Sequence, residues 1–251
     1  MSSTSTIVLI TGANSGVGYS TCRFLATVSS QYHIVMTGRN LDNVTKALSD
    51  IQAAGDIKSS LSALQLDVTD EQSIDVAAKE VEKQFGRLDV LINNAGVMSQ
   101  APTLKQQLRD TFETNCTGPA LVTAAFESLL LKSKTAYLLH ISSALGSLNI
   151  ASTPGSQWYS PDGTVYRASK AALSAIAIQD HKRLSKHGVK VFTVCPGLVR
   201  SNLRGKTEEA ISVGGAAGDP MDSARLLWVI IQGKRDSDVG KFVYADGVWP
   251  W

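Results

Sequence analysis

The chain has 251 residues, 43% hydrophobic and 18% charged, enough to bury a substantial core in one domain or at most two. A formal net charge of +2 shows no footprint for nucleic acid or an anionic membrane surface, and no apolar run approaches a bilayer span. The three cysteines, Cys22, Cys116 and Cys195, form no C-x-x-C pair or disulfide framework, and "MSSTSTIVLITG" lacks the basic start of a signal peptide. A cytoplasmic protein with reduced thiols is expected.

Short apolar, β-branched runs alternate with longer helix-period segments. The first run, 6–11, leads through "TGANSGVG" (11–18) into a helix from Gly16 to about 29. A run at 33–37, a helix over 41–54 and a run at 61–68 follow. Asp70 then caps a helix whose apolar stripe begins at Ser73. Runs at 89–94, 136–142, 190–195 and 241–246 alternate with helices over 103–132, 164–187 and 220–232, the last entered through Asp219 and Pro220. Near-continuous apolar strands suit a parallel sheet covered on both faces. The alternation predicts a single-domain, doubly wound α/β (Rossmann) fold with seven parallel strands and helices on both faces.

The glycine-rich turn suggests a ligand. Gly12 permits a sharp turn, Gly16 a close backbone approach, and Gly18 tight packing of helix on strand. Asn14, Ser15 and Val17 complete a helix N-terminus whose free N–H groups suit a pyrophosphate. The spacing is G-x-x-x-G-x-G, and a turn with packing duties alone is the competing reading. The second strand ends "MTGRN", with Gly38 where this fold carries an acid for the ribose 2′-hydroxyl of NAD, and Arg39 next. A guanidinium can bind a 2′-phosphate bidentately, so NADP(H) is preferred over NAD(H). A solvated loop cation is the alternative.

"YRASK" (166–170) sets Tyr166 one helical turn before Lys170, on the same face. A cation beside a phenol favours the phenolate and lowers the pKa from near ~10, giving a usable proton donor. Tyr159, nearby in "QWYSPDG", has no such lysine.

"TGANSGVG", "LDVTD" (66–70), "NNAG" (93–96), "ISS" (141–143), "YRASK" and "PGLVRS" (196–201) occur in this order across the whole chain. The set resembles the short-chain dehydrogenases/reductases, and the ending "GKFVYADGVWPW" looks most like the carbonyl-reductase (sniffer-like) branch. The resemblance implies roles. Asp67 and Val68 would contact adenine; Asn93, Ala95 and Gly96 would support the sheet centre and the cofactor ribose. Asn115 would fix a helix kink and a water that relays protons to Lys170. Ser143 would be the catalytic serine, with Ser142 its competitor. Pro196, Gly197, Val199 and Ser201 would seat nicotinamide and phosphates, and Lys170 would hold the ribose hydroxyls beside Tyr166. The span from Ser143 to Tyr166 is longer than the common family pattern through "NIASTPGSQWYSPDG", which leaves the substrate loop and oligomer contacts open.

The expected reaction is hydride transfer from NADPH to a ketone or aldehyde. Oxidation of an alcohol with NADP, or a non-catalytic NADP(H)-binding sensor, are the rivals. Met98, Trp158 and Tyr159 suggest an apolar, aromatic pocket for a small-molecule carbonyl substrate. Residues 202–219, rich in glycine, suggest a lid. The four histidines lack metal-ligand spacing, and no metal site is expected. Monomer and homo-oligomer stay equally open.

Overall fold

The computed structural model describes residues 5–159 and 162–251; the polar lead at 1–4 and the pair 160–161 of the long insertion lie outside the described residues. Eight strands form one sheet in the order β3-β2-β1-β4-β5-β6-β7-β8. They are β1 (Thr6–Ile10), β2 (Tyr32–Gly38), β3 (Ser60–Gln65), β4 (Val90–Asn93), β5 (Tyr137–Ile141), β6 (Lys190–Val194), β7 (Phe242–Tyr244) and β8 (Gly247–Trp249). All neighbouring pairs through β7 are parallel, and β8 runs antiparallel to β7. Seven strands were expected. The run read as 241–246 ends at Tyr244, turns at Ala245–Asp246 and returns as β8. Strands of three residues carry too little periodicity to be told from one longer strand.

Period-two alternation explains the layering. Val8 and Ile10 of β1 point into one core with Leu25, Met36, Ile51, Phe192 and Ile230; Ile7 and Leu9 point into the other with Val81, Phe126, Leu138 and Leu184. The first core lies under helices α1 (Gly16–Val28), α2 (Leu41–Ala53) and the C-terminal helix Pro220–Ile231. The second lies under α3 (Glu71–Phe85) and a long segment crossing the opposite face. Asp70 caps α3 through the amides of Gln72 and Ser73, as read from sequence.

The segment expected as one helix over 103–132 is α4 (Leu104–Phe112), a π-helical turn over Glu113–Thr117, and α5 (Gly118–Leu130). Two short helices, α6 (Leu148–Ser152) and α8 (Glu208–Ser212), fall in stretches read as loops; between them lies α7 (Thr164–Leu184), and α9 is Pro220–Ile231. Because β1 pairs with β2 on one side and β4 on the other, the order in which strands are added reverses at β1 and opens a crevice at the strands' carboxyl ends.

Candidate active site

Two turns meet in that crevice. Gly12 and Gly16 have φ of +65° and +55°, a left-handed conformation that favours glycine. A side chain on Gly12 would also strike Ala95, its Cβ falling 3.0 Å from the Ala95 Cα. Gly18 is closed in further: a Cβ there would lie 2.5 Å from both the Asn94 amide nitrogen and the Gly12 carbonyl. Asn94 ties the turns together, its Nδ2 donating to the Thr11 and Gly12 carbonyls at 2.8 and 3.2 Å. Ser15 precedes α1 without a side-chain cap, so the helix's first amides are left for another acceptor. Asn14 is exposed at the turn's tip, and Val17 packs inward on the core.

At the end of β2, a Cβ on Gly38 would lie 3.0 Å from Val44 and 3.3 Å from the Asn14 side chain, so this position admits no acid without rearrangement. Arg39 follows, exposed, its carbonyl accepting from Gln65. Asp67 is half-buried and its carboxylate binds the Thr69 amide and hydroxyl; Val68 is buried where Gly118 lets α5 approach. Pro196 and Gly197 leave β6, Val199 bridges to Gly218, and Ser201 reaches the first turn, 3.2 Å from the Cβ position of Gly16.

Asn93 differs from its neighbours in the motif. Its side chain is 2% exposed and turned into the sheet interior, where Nδ2 meets Thr123 at 3.0 Å and His140 at 3.4 Å. This serves the sheet centre and does not bring the amide to the crevice.

The polar groups of α7 converge below the crevice. Asn115 sits in the π turn, fully buried. Its Oδ1 accepts from the Val97 amide at 2.8 Å, and its Nδ2 donates to the Val97 carbonyl and Ser169 hydroxyl at 2.9 and 3.0 Å. The π turn's extra residue lets one asparagine serve both the β4 loop and α7. Lys170 Nζ donates to the Ile141 carbonyl at 2.8 Å. Gly96 leaves space above both groups: a Cβ there would lie 3.4 Å from Asn115 Oδ1 and 3.5 Å from Lys170 Nζ.

Of the paired serines, Ser142 is buried and spends its hydroxyl on the Lys170 carbonyl and Ser174. The Ser143 hydroxyl accepts from the Leu145 amide and pulls the pKa of the Tyr166 phenol down. Gly146 lets this turn press on α7, since a Cβ would fall 2.7 Å from the Lys170 backbone. The phenol's pKa is not lowered as the helix spacing suggested. Burial pushes it up, the Cys195 thiol adds to this, and Arg204 and Ser143 pull against them. Burial also lowers the Lys170 ammonium to about 8.

A cleft of about 310 Å³ opens beside Tyr166, lined by Met98, Ser99, Gln100, Leu104, Gln107 and the residues from Asp162 to Tyr166. The expected aromatic wall is not there. Trp158 packs against the small cluster of Ala144, Cys195 and Phe242, and Tyr159 is exposed, so the lining is largely polar. Asn94, Gly146 and Arg204 were not singled out from sequence; Asn94 had a signal, standing inside "NNAG".

The family model for short chain dehydrogenases matches residues 6–212. The short-chain dehydrogenase/reductase tropE of Talaromyces stipitatus is 33% identical over 96% of this chain and 95% of its own. The farnesol dehydrogenase of Aedes aegypti is 31% identical over 84% and 83%. Among solved structures, the NADPH-bound carbonyl reductase from chicken fatty liver superposes with a TM-score of 0.82 at 26% identity, covering 98% of both chains.

Proposed function

Since the chain belongs to the short-chain dehydrogenase/reductase family, an oxidoreductase family acting on alcohol and carbonyl groups, we propose that it is an NADPH-dependent carbonyl reductase with Tyr166 as proton donor. The single observation that carries this is the convergence of Ser143, Tyr166, Lys170 and Asn115 beneath a glycine cradle with uncapped helix amides. That cradle fits a dinucleotide: its amides suit a pyrophosphate, and the left-handed Gly12 and Gly16 keep side chains out of the way. NADP(H) is supported over NAD(H) by the crowding at Gly38 and the exposed Arg39, and by the cofactor in the chicken reductase.

Gly12 and residues Asn14 to Gly18 would hold the pyrophosphate, Arg39 the 2′-phosphate, and Asp67 and Val68 the adenine. Ala95, Gly96, Tyr166 and Lys170 would line the ribose, and Pro196, Gly197, Val199 and Ser201 the nicotinamide end. Bound NADPH supplies the hydride. Ser143 hydrogen-bonds the carbonyl oxygen as negative charge develops there. Tyr166 gives its proton to that oxygen; burial holds the phenol in the protonated form that reduction needs, while making it a weaker acid. Lys170, with Asn115 nearby around Gly96, returns a proton towards Tyr166. Run backwards, the same site oxidises an alcohol, the direction named for the mosquito relative. Three free, buried cysteines support a cytoplasmic setting. A panel of carbonyl compounds assayed for NADPH consumption, with Tyr166→Phe as control, tests the proposal.

A further inference from the structure

The turn that Ser143 opens, a 3-10 turn over Ala144–Gly146, is held from three sides. On one side the Ala144 amide meets the Cys195 thiol, just past β6, at 3.3 Å. On another, Gly146 lies against the Lys170 backbone of α7. The third hold comes from far along the chain, from the residues that follow β8. The buried Ser147 hydroxyl donates to the Pro250 carbonyl at 2.7 Å and accepts from the Ile150 amide at 3.1 Å, capping α6. The Asn149 amide, one of the free donors of that helix's first turn, is taken by the Trp251 backbone oxygen at 2.9 Å. The Trp251 ring stacks on Phe242 of β7, with centroids 5.7 Å apart and planes at 16°. Phe242 is fully buried and shares a cluster with Ala144, the residue next to Ser143.

The β7–β8 hairpin that delivers these residues is itself locked. Arg235 donates through Nη1 and Nη2 to the Tyr244 and Gly247 carbonyls at 3.1 and 2.9 Å, spanning the turn, while its Nε binds Asp238 at 2.7 Å. The Tyr244 and Trp249 rings stack at 4.2 Å between centroids. Pro250 and Trp251 lie outside the lining of the cleft beside Tyr166, so their route to the chemistry runs through the Ser143 turn. A hydroxyl that meets a developing oxyanion must be placed to a fraction of an ångström. The bond from the Leu145 amide to the Ser143 hydroxyl lies within the turn and does not fix the turn to the rest of the fold. From this chain of contacts we infer that Pro250 and Trp251 are positioning residues: they brace the Ser147 end of the turn and thereby align Ser143 with the substrate oxygen. The inference rests on the proposed role of Ser143 and adds a distant determinant of its placement.

A double-mutant cycle tests it. Trp251→Ala should lower kcat by about 10- to 100-fold, the cost of misplacing a reacting group, with NADPH affinity unchanged. Trp251→Phe, which keeps a ring to stack on Phe242, should retain most of the activity. In a Ser143→Ala background Trp251→Ala should change kcat by no more than about twofold, because residues acting through one group are not additive. Ser147→Ala, which removes a single hydroxyl, should follow the same pattern and replaces Trp251→Ala if that variant does not fold. Hydrogen exchange at the amides of 145–149, measured without substrate, should be faster in Trp251→Ala than in the wild type. Full kcat in Trp251→Ala and Ser147→Ala, or an equal loss with and without Ser143, would overturn the inference, as would unchanged exchange. If Ser143→Ala costs nothing, or no carbonyl is reduced, the reductase reading fails, while the exchange still reports whether Trp251 braces the turn.

Discussion

Lys170 stands one turn beyond Tyr166 on α7, yet its ammonium donates to the Ile141 carbonyl at 2.8 Å and lies 5.7 Å from the centre of the Tyr166 ring. Arg204 and the Ser143 hydroxyl pull the phenol's pKa down, and burial outweighs both. In the chain alone, Lys170 is anchored to β5 before it is a partner of Tyr166.

That anchoring has a consequence for stability. Burial lowers Lys170 from 10.5 to about 8. The unfolded lysine holds its proton up to its ordinary pKa, so the folding penalty is full below about 8 and fades as pH rises towards 10.5. Relative to Lys170→Met, the wild type should gain stability over that window, by on the order of 3 kcal/mol in all. Urea unfolding of both proteins at the two ends of the window measures this. The buried cysteines act in the opposite sense; Cys22 and Cys195 cancel in the difference, whereas Cys116, which the Lys170 charge pulls down, changes with the substitution. A gap that stayed constant with pH would show that Lys170 is not desolvated.

Arg39 should set cofactor choice. Arg39→Ala should weaken NADPH binding by roughly 10- to 100-fold, as expected for a hydrogen bond to a charged group. NADH binding should change far less. Titration of both cofactors decides this, and equal losses would remove the 2′-phosphate role.

Much of this was legible in the sequence because it rests on local chemistry. The near-continuous apolar run of β1, whose Val8 and Ile10 enter one core and Ile7 and Leu9 the other, gave the two-sided sheet, and Asp70 and Asp219 marked helix starts that the structure caps through their carboxylates. What was missed is held by distant partners. A kink at Asn115 came only from the family resemblance, and its form as a π turn is hidden because Asn115 lies in a run whose apolar residues continue a helical period on both sides. Trp158 looked like a pocket residue, but the cluster it packs against includes Phe242, more than eighty positions away. Arg204 gains its orientation from the carbonyls of Val199, Ala210 and Ile211, which no short motif encodes.

The segment 202–219 should behave as a lid. It contains a 3-10 turn and α8, fastened by Arg204 and by the Val199–Gly218 bridge, yet it buries little: Ser212 is the one buried residue among its described positions. Such a unit opens at low free energy. Hydrogen exchange over 202–219 should slow when NADPH and a substrate analogue are added together, as the segment closes and excludes water. Unchanged protection at saturation would mark a permanently ordered loop.

The central claim is that Tyr166 delivers the proton in an NADPH-dependent carbonyl reduction. The most direct measurement is NADPH consumption over a carbonyl panel by the wild type, Tyr166→Phe and Tyr159→Phe. The wild type should reduce at least one class of carbonyl. Tyr166→Phe should lower kcat by roughly 10²- to 10⁴-fold with NADPH binding largely kept, the usual worth of general acid catalysis. Tyr159, exposed and outside the lining of the cleft beside Tyr166, should tolerate the same change with little loss. Equal effects of the two substitutions, or full activity in Tyr166→Phe, would contradict the account.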